Sequence, residues 1–149
     1  MIKPDDQLPE FILPNQNGEL VNSKSLLGKS IVIFFYPKDD TPVCTIEACS
    51  FRNEYNQFTK LGAEVIGISA DSANSHLNFI KKHQLNYSLL SDPNQSVAKQ
   101  FGLSNSLFGL LSPRITFVFN KEGKLLKTIG SRWNGKAHMT EALNVLKSQ

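Results

Sequence analysis

The chain has 149 residues, 40% of them apolar and 19% charged, with a formal net charge of +3. That length suits one domain with a sizeable core, and that composition argues against disorder. Scattered cations (only Lys81 and Lys82 are adjacent), no apolar run near the roughly 18 residues of a membrane span, and a start at Met1-Ile2-Lys3-Pro4 without a signal-peptide stretch exclude nucleic-acid binding, membrane insertion and Sec-type secretion as expectations.

In chain order, Phe11 to Leu13 and Leu20-Val21 read as a small N-terminal β-hairpin extension. Ile31 to Tyr36 is an unbroken β-branched and aromatic run ended by Pro37, and Val65 to Ser69 is a second such run. Neither alternates with polar residues, so both are expected as central strands buried on two faces. Between them Cys44, Ala48, Phe51, Tyr55 and Phe58 recur at spacings of four, three, four and three, a helix stripe that Leu61-Gly62 closes. A second helix is predicted over Ala73 to His83, with Leu77 and Ile80 at helical spacing and Phe79 close by. Asp92-Pro93 opens a short helix through Val97 and Phe101. Ile115 to Phe119 and Leu125 to Ile129 form a strand pair around the turn Asn120 to Gly123, and Lys136 to Leu146 closes the chain as a helix with Met139, Leu143 and Leu146 inward. With no repeat or linker, residues 1–149 are expected as a single domain. The order after the extension is β-α-β-α-β-α-β-β-α. It predicts an α/β fold, a mixed central β-sheet flanked by helices, and it resembles the thioredoxin-like fold.

The segment Tyr36 to Cys49 joins the end of a buried strand to the start of a helix, where open α/β sheets place their sites. Thr41 is the expected N-cap and Pro42 takes the favoured first helical position, which puts Cys44 third. There its sulfur lies among unpaired backbone N–H groups at the positive end of the helix dipole, and both favour the thiolate, the nucleophilic form. Asp39 and Asp40 oppose it by like-charge repulsion. The alternative for Cys44 is a small buried hydrophobe on the stripe. Two Cys five apart match no common zinc spacing, and Cys-x-x-Cys is absent, so no metal is expected. His76, His83 and His138 show no paired spacing and read as surface or capping residues. On an ideal helix Cys44 and Cys49 lie about 140° apart in azimuth, with Cα atoms roughly 8–9 Å apart, beyond the roughly 7 Å reach of a disulfide. A bond between them therefore requires the first helical turns to unwind.

Pro37-x-x-x-Thr41-x-x-Cys44, with Cys49 five residues on, resembles the active-site signature of the peroxiredoxins, and among them the Q-type subfamily, the bacterioferritin comigratory proteins. The likeness extends over nearly the whole chain, through Cys49 to Arg52, Gly62 to Ser69, Leu89 to Asp92, Leu107 to Gly109 and Pro113 to Val118. It implies a thiol-dependent peroxidase for hydrogen peroxide and small organic hydroperoxides, acting in antioxidant defence. Cys44 would be the peroxidatic cysteine and Cys49 the resolving cysteine of an intrachain disulfide. Thr41 and Arg114 would bind and polarise the peroxide, and Pro37 would shield the pocket. Thioredoxin or a similar dithiol would reduce the disulfide, and no cofactor is implied, since sulfur carries both electrons. The resemblance leans towards a monomer in the cytoplasm, or in a plastid if a transit peptide has been removed. Each residue also has a plainer reading: Thr41 as a cap only, Pro37 as a strand terminator, Arg114 as a surface residue, Glu47 as a solvated helix residue rather than the group that orients Arg114. Trp133 and Phe108 either wall the pocket or simply pack. Val43 stands where the Q-type signature commonly has Gly; an ordinary helical φ is predicted there, with Val narrowing the pocket mouth. A redox sensor that reacts once, and a structural module with inert thiols, are the competing classes.

Overall fold

The computed structural model describes residues 1–103 and 114–149. A hairpin of β1 (Ile12–Pro14) and β2 (Leu20–Asn22) comes first, as expected. The main sheet contains β3 (Ser30–Phe35), β4 (Ala63–Ser69), β5 (Ser88–Ser91), β6 (Ile115–Phe119) and β7 (Leu125–Gly130), in the order β5-β4-β3-β6-β7. The first three run parallel and β6 and β7 are antiparallel, which makes the sheet mixed. Among the described residues four α-helices accompany it: α1 (Pro42–Lys60), α2 (Ala73–His83), α3 (Ser96–Gln100) and α4 (Gly135–Lys147). None of the described helices is long and apolar enough to cross a membrane.

The two-sided burial of β3 follows from its unbroken apolar run. Val32 and Phe34 face one core with α1 and α4, and Ile31, Ile33 and Phe35 face the other with Phe11, Phe101 and Phe117. Phe34 stacks on Phe51 of α1 with ring centroids 4.7 Å apart. Gly67, paired with Phe34 across the sheet, makes room for that ring: a Cβ there would sit 2.8 Å from it. The period-2 rule also sets the site. Val118 belongs to the α1 side, so Thr116 and Arg114, two and four residues earlier, are aimed at the same side.

Two expectations need correcting. His76 and His138 are not surface residues; both are fully buried. The inward face of α2 is set by His76 and Phe79, while Leu77 and Ile80 are only half-buried, because a polar cluster behind the site takes the inner position. The C-terminal helix behaves as read, with Met139, Leu143 and Leu146 buried.

Candidate active site

The loop between β3 and α1 is clamped before it reaches Cys44. Asp40 adopts a left-handed φ of 60°, tolerable for Asp, and this turns the chain into the helix. Its carboxylate accepts from Lys82 Nζ at 2.7 Å and pairs with His83 Nε2 at 3.0 Å, and these two partners hold it below the usual carboxylate range. Asp39 is buried. It accepts from the Tyr36 hydroxyl and from Ser75 Oγ, meets His76 Nδ1 at 2.7 Å, and its own N–H donates to Asp71. The opposition these two acids were expected to offer a thiolate is thus largely taken up by partners on α2. His76 and Asp71 are functional supports that sequence reasoning missed; one apolar-face His 37 residues from Asp39 carries no local signal. Asp39, Asp71 and His76 are the one group among the described residues that could offer three metal ligands, but both His76 nitrogens are engaged, Nε2 with the Leu90 carbonyl.

Helix α1 begins as the sequence predicts, with Thr41 at the N-cap and Pro42 first, so Cys44 is third. Thr41 makes no side-chain cap bond; its hydroxyl donates to the Lys38 carbonyl at 2.8 Å. This leaves its oxygen lone pairs directed away from helix capping. Val43 has no positive φ and lies in regular helix, as predicted for the departure from Gly. Pro37 and Val43 are each half-buried.

The centre of the site joins residues 70 apart. Arg114, 8% exposed, donates from Nη2 to Cys44 Sγ at 3.3 Å, from Nη1 to Glu47 Oε1 at 2.7 Å and from Nε to the Arg132 carbonyl at 3.0 Å. All three guanidinium nitrogens are committed, which fixes the plane of the fork. Glu47 is fully buried, so it is not a solvated helix residue but the group that orients Arg114. Burial raises its carboxyl from 4.5 to about 8, against the lowering effect of Arg114. The close approach of α4 sustains this geometry: a Cβ on Gly135 would lie 2.8 Å from Glu47 Cβ and 2.9 Å from the Val43 carbonyl oxygen.

Other expected residues are not brought here. Trp133 is 79% exposed, lies against the Arg132 guanidinium and, among the described residues, does not pack in the core. Phe108, Leu107, Gly109 and Pro113 lie outside the described residues. Cys44 is buried and Cys49 half-buried, both as free thiols on an unbroken helix. The structure therefore does not bring the two sulfurs together. Oxidation to a Cys44–Cys49 bond has to peel the first turns of α1 off Gly135, and amide hydrogen exchange across residues 43–52 is expected to accelerate by at least about tenfold in the oxidised protein. Equal protection in the two states would exclude that bond.

Residues 4–128 match the family model described as AhpC/TSA. The chain belongs to the AhpC/TSA family, the peroxiredoxins. This peroxiredoxin is 43% identical over 140 residues to the chloroplastic peroxiredoxin Q of Sedum lineare, covering 94% of the chain and 75% of that relative. It spans 64% of the length of the rice counterparts. Among solved structures it is similar to the peroxidoxin BcpB of Mycobacterium tuberculosis, with a TM-score of 0.92, 37% identity, and 99% and 98% of the two chains covered. It is also similar to the bacterioferritin comigratory protein of Xanthomonas campestris, described for its alkyl peroxide reduction activity, with a TM-score of 0.85, 29% identity, and 96% and 98% covered. These likenesses give the peroxiredoxin its thioredoxin-like fold with an N-terminal hairpin.

Proposed function

We propose that Cys44 is the peroxidatic nucleophile of this thiol-dependent peroxidase and Cys49 its resolving partner. As a peroxiredoxin the chain is a peroxidase and an oxidoreductase. The observation that carries the residue assignment is the guanidinium of Arg114 against Cys44 Sγ at 3.3 Å, at the start of a helix. The fork that touches the sulfur can follow negative charge as it moves to the departing oxygen. The Cys44 thiolate attacks one peroxide oxygen; an S–O bond forms, the O–O bond breaks, and the second oxygen leaves with a proton as water or an alcohol. Cys44 is then a sulfenic acid. The Cys49 thiol attacks it, the S–S bond forms, and water departs. An external dithiol, thioredoxin or a similar protein, returns both sulfurs to thiols by exchange.

Thr41 and Arg114 hold the peroxide in this reading. The Thr41 hydroxyl, freed from capping, accepts a hydrogen bond from the peroxide O–H, and Pro37 and Val43 shape the approach. Hydrogen peroxide and small organic hydroperoxides are the substrates that suit so enclosed a sulfur. Residues 1–149 act as one domain and as a monomer, in the cytoplasm or a plastid, where a dithiol reductant is available.

Intact mass after one equivalent of peroxide tests the assignment. The wild type is expected to lose about 2 Da, and Cys49→Ser to gain about 16 Da or more as the trapped sulfenic acid and its oxidation products. A gain of about 16 Da in the wild type without the loss would remove Cys49 from the resolving role.

A further inference from the structure

We infer that His138 is a positioning residue: through the buried Glu47 carboxyl it keeps the Arg114 charge available to Cys44. The inference rests on the reading of Cys44 as the reacting sulfur. Glu47 uses Oε1 for Arg114, but Oε2 is buried and has no hydrogen-bond partner among the described residues. A buried ionised oxygen without a donor is costly, so this atom calls for a proton of its own or a donor opposite it. Opposite it, at 3.5 Å, is His138 Nδ1.

The tautomer of His138 is set by its surroundings. Nε2 lies 2.7 Å from the Ser131 carbonyl, which can only accept, so Nε2 carries the hydrogen. In the neutral ring Nδ1 is then an acceptor with a single lone pair, 2.7 Å from the Thr116 hydroxyl and 3.5 Å from Glu47 Oε2, so these two groups compete for it. Burial lowers the affinity of His138 for a second proton and raises that of Glu47, so both shifts put the shared proton on the carboxyl. Glu47 with its proton on Oε2 still accepts from Arg114 on Oε1, and it adds no charge that would cancel the guanidinium. Once it ionises, the Arg114 charge is shared between carboxylate and sulfur. Among the described residues the charged and titratable groups facing the pair are Cys44 on α1, Arg114 ahead of β6, Tyr87 ahead of β5 and Glu141 on α4, and Arg114 is the one hydrogen-bonded to Glu47.

The test measures single-turnover reaction of the reduced protein with hydrogen peroxide across pH, and in parallel the alkylation of Cys44 by iodoacetamide, read by peptide mass. Beyond the limb of the thiol itself, the wild type is expected to show a second inflection as Glu47 ionises, with the peroxide rate falling above it. His138→Gln keeps a donor for Ser131 but removes the Nδ1 acceptor. It should lower the peroxide rate at neutral pH about tenfold, the loss of one hydrogen bond behind the reacting centre, and move the inflection down. Thr116→Val leaves Nδ1 to Glu47 alone and should move it up. An inflection unmoved in both variants overturns the inference, and Thr116→Val decides alone if His138→Gln does not fold. If the wild type ignores peroxide while the alkylation inflection still moves, the peroxidase assignment fails and the positioning role stands.

Discussion

Cys44→Ser is expected to lower peroxide consumption by at least about a thousandfold while leaving the fold intact. The change replaces a polarisable sulfur, the atom proposed to take up the oxidising equivalents, by an oxygen that cannot. It alters little else. Cys44 is 1% exposed and its one described polar contact is the Arg114 guanidinium, which a hydroxyl still accepts. The melting temperature should therefore move by no more than the equivalent of about 1–2 kcal/mol. Peroxide consumption, measured by loss of substrate in the presence of excess dithiol, separates the outcomes. Retained turnover in Cys44→Ser would mean that the reaction runs through Cys49 or elsewhere and that the helix-start sulfur is a packing residue.

The second large effect is at Arg114. Arg114→Lys should cost about a hundredfold to a thousandfold in the rate of sulfenic acid formation, because a single ammonium cannot serve Cys44, Glu47 and the Arg132 carbonyl at once. Arg114→Ala should add a stability loss of about 1–3 kcal/mol, since it strips the donor from the buried Glu47 carboxyl. That loss depends on pH. The folded-state value of Glu47 stands raised, from 4.5 to about 8, so between those limits the folded protein binds more protons than the unfolded one. Its stability contribution is complete below the lower limit and declines as pH rises through the window. Without Arg114, whose charge lowers the value, the window widens upward and the decline runs on to higher pH with the same one-proton slope. Adding Glu47→Gln to Arg114→Ala should restore most of the stability and none of the rate, as read by thermal melts against stopped-flow traces. Recovery of both together would make Arg114 a structural residue only.

The two kinds of residue in this site differ in how plainly they are written in the chain. The helix that carries Cys44 is announced by local chemistry: Thr41, Pro42 and a stripe at three- and four-residue spacing; α1 starts where they place it, although the Thr41 side chain makes no capping bond. The strands are announced by unbroken apolar runs, and Ile115–Phe119 has the bounds its sequence suggests. Arg114 was legible in part, because an Arg entering an apolar strand calls for an anionic partner, yet that partner could not be chosen. Glu47, 67 residues away, looked as much like a solvated helix residue as a buried one. The histidines were misread for the same reason. His76 and His138 have no neighbours in sequence that explain them, and their partners Asp39 and Thr116 lie 37 and 22 residues distant. Trp133 was misplaced in the opposite sense, since a large aromatic ring usually packs and this one does not.

The sequence by itself determined the layered α/β order, the start of α1 and the cysteine at its third position. These follow from side-chain period and backbone capping, which act over a few residues. Only the tertiary structure decided which charges meet at the sulfur. That outcome depends on β6 lying antiparallel beside β3 and on Gly135 letting α4 approach α1, contacts that bring Arg114, Glu47 and His138 into one buried cluster. In such a cluster desolvation, rather than residue type, sets where the proton resides.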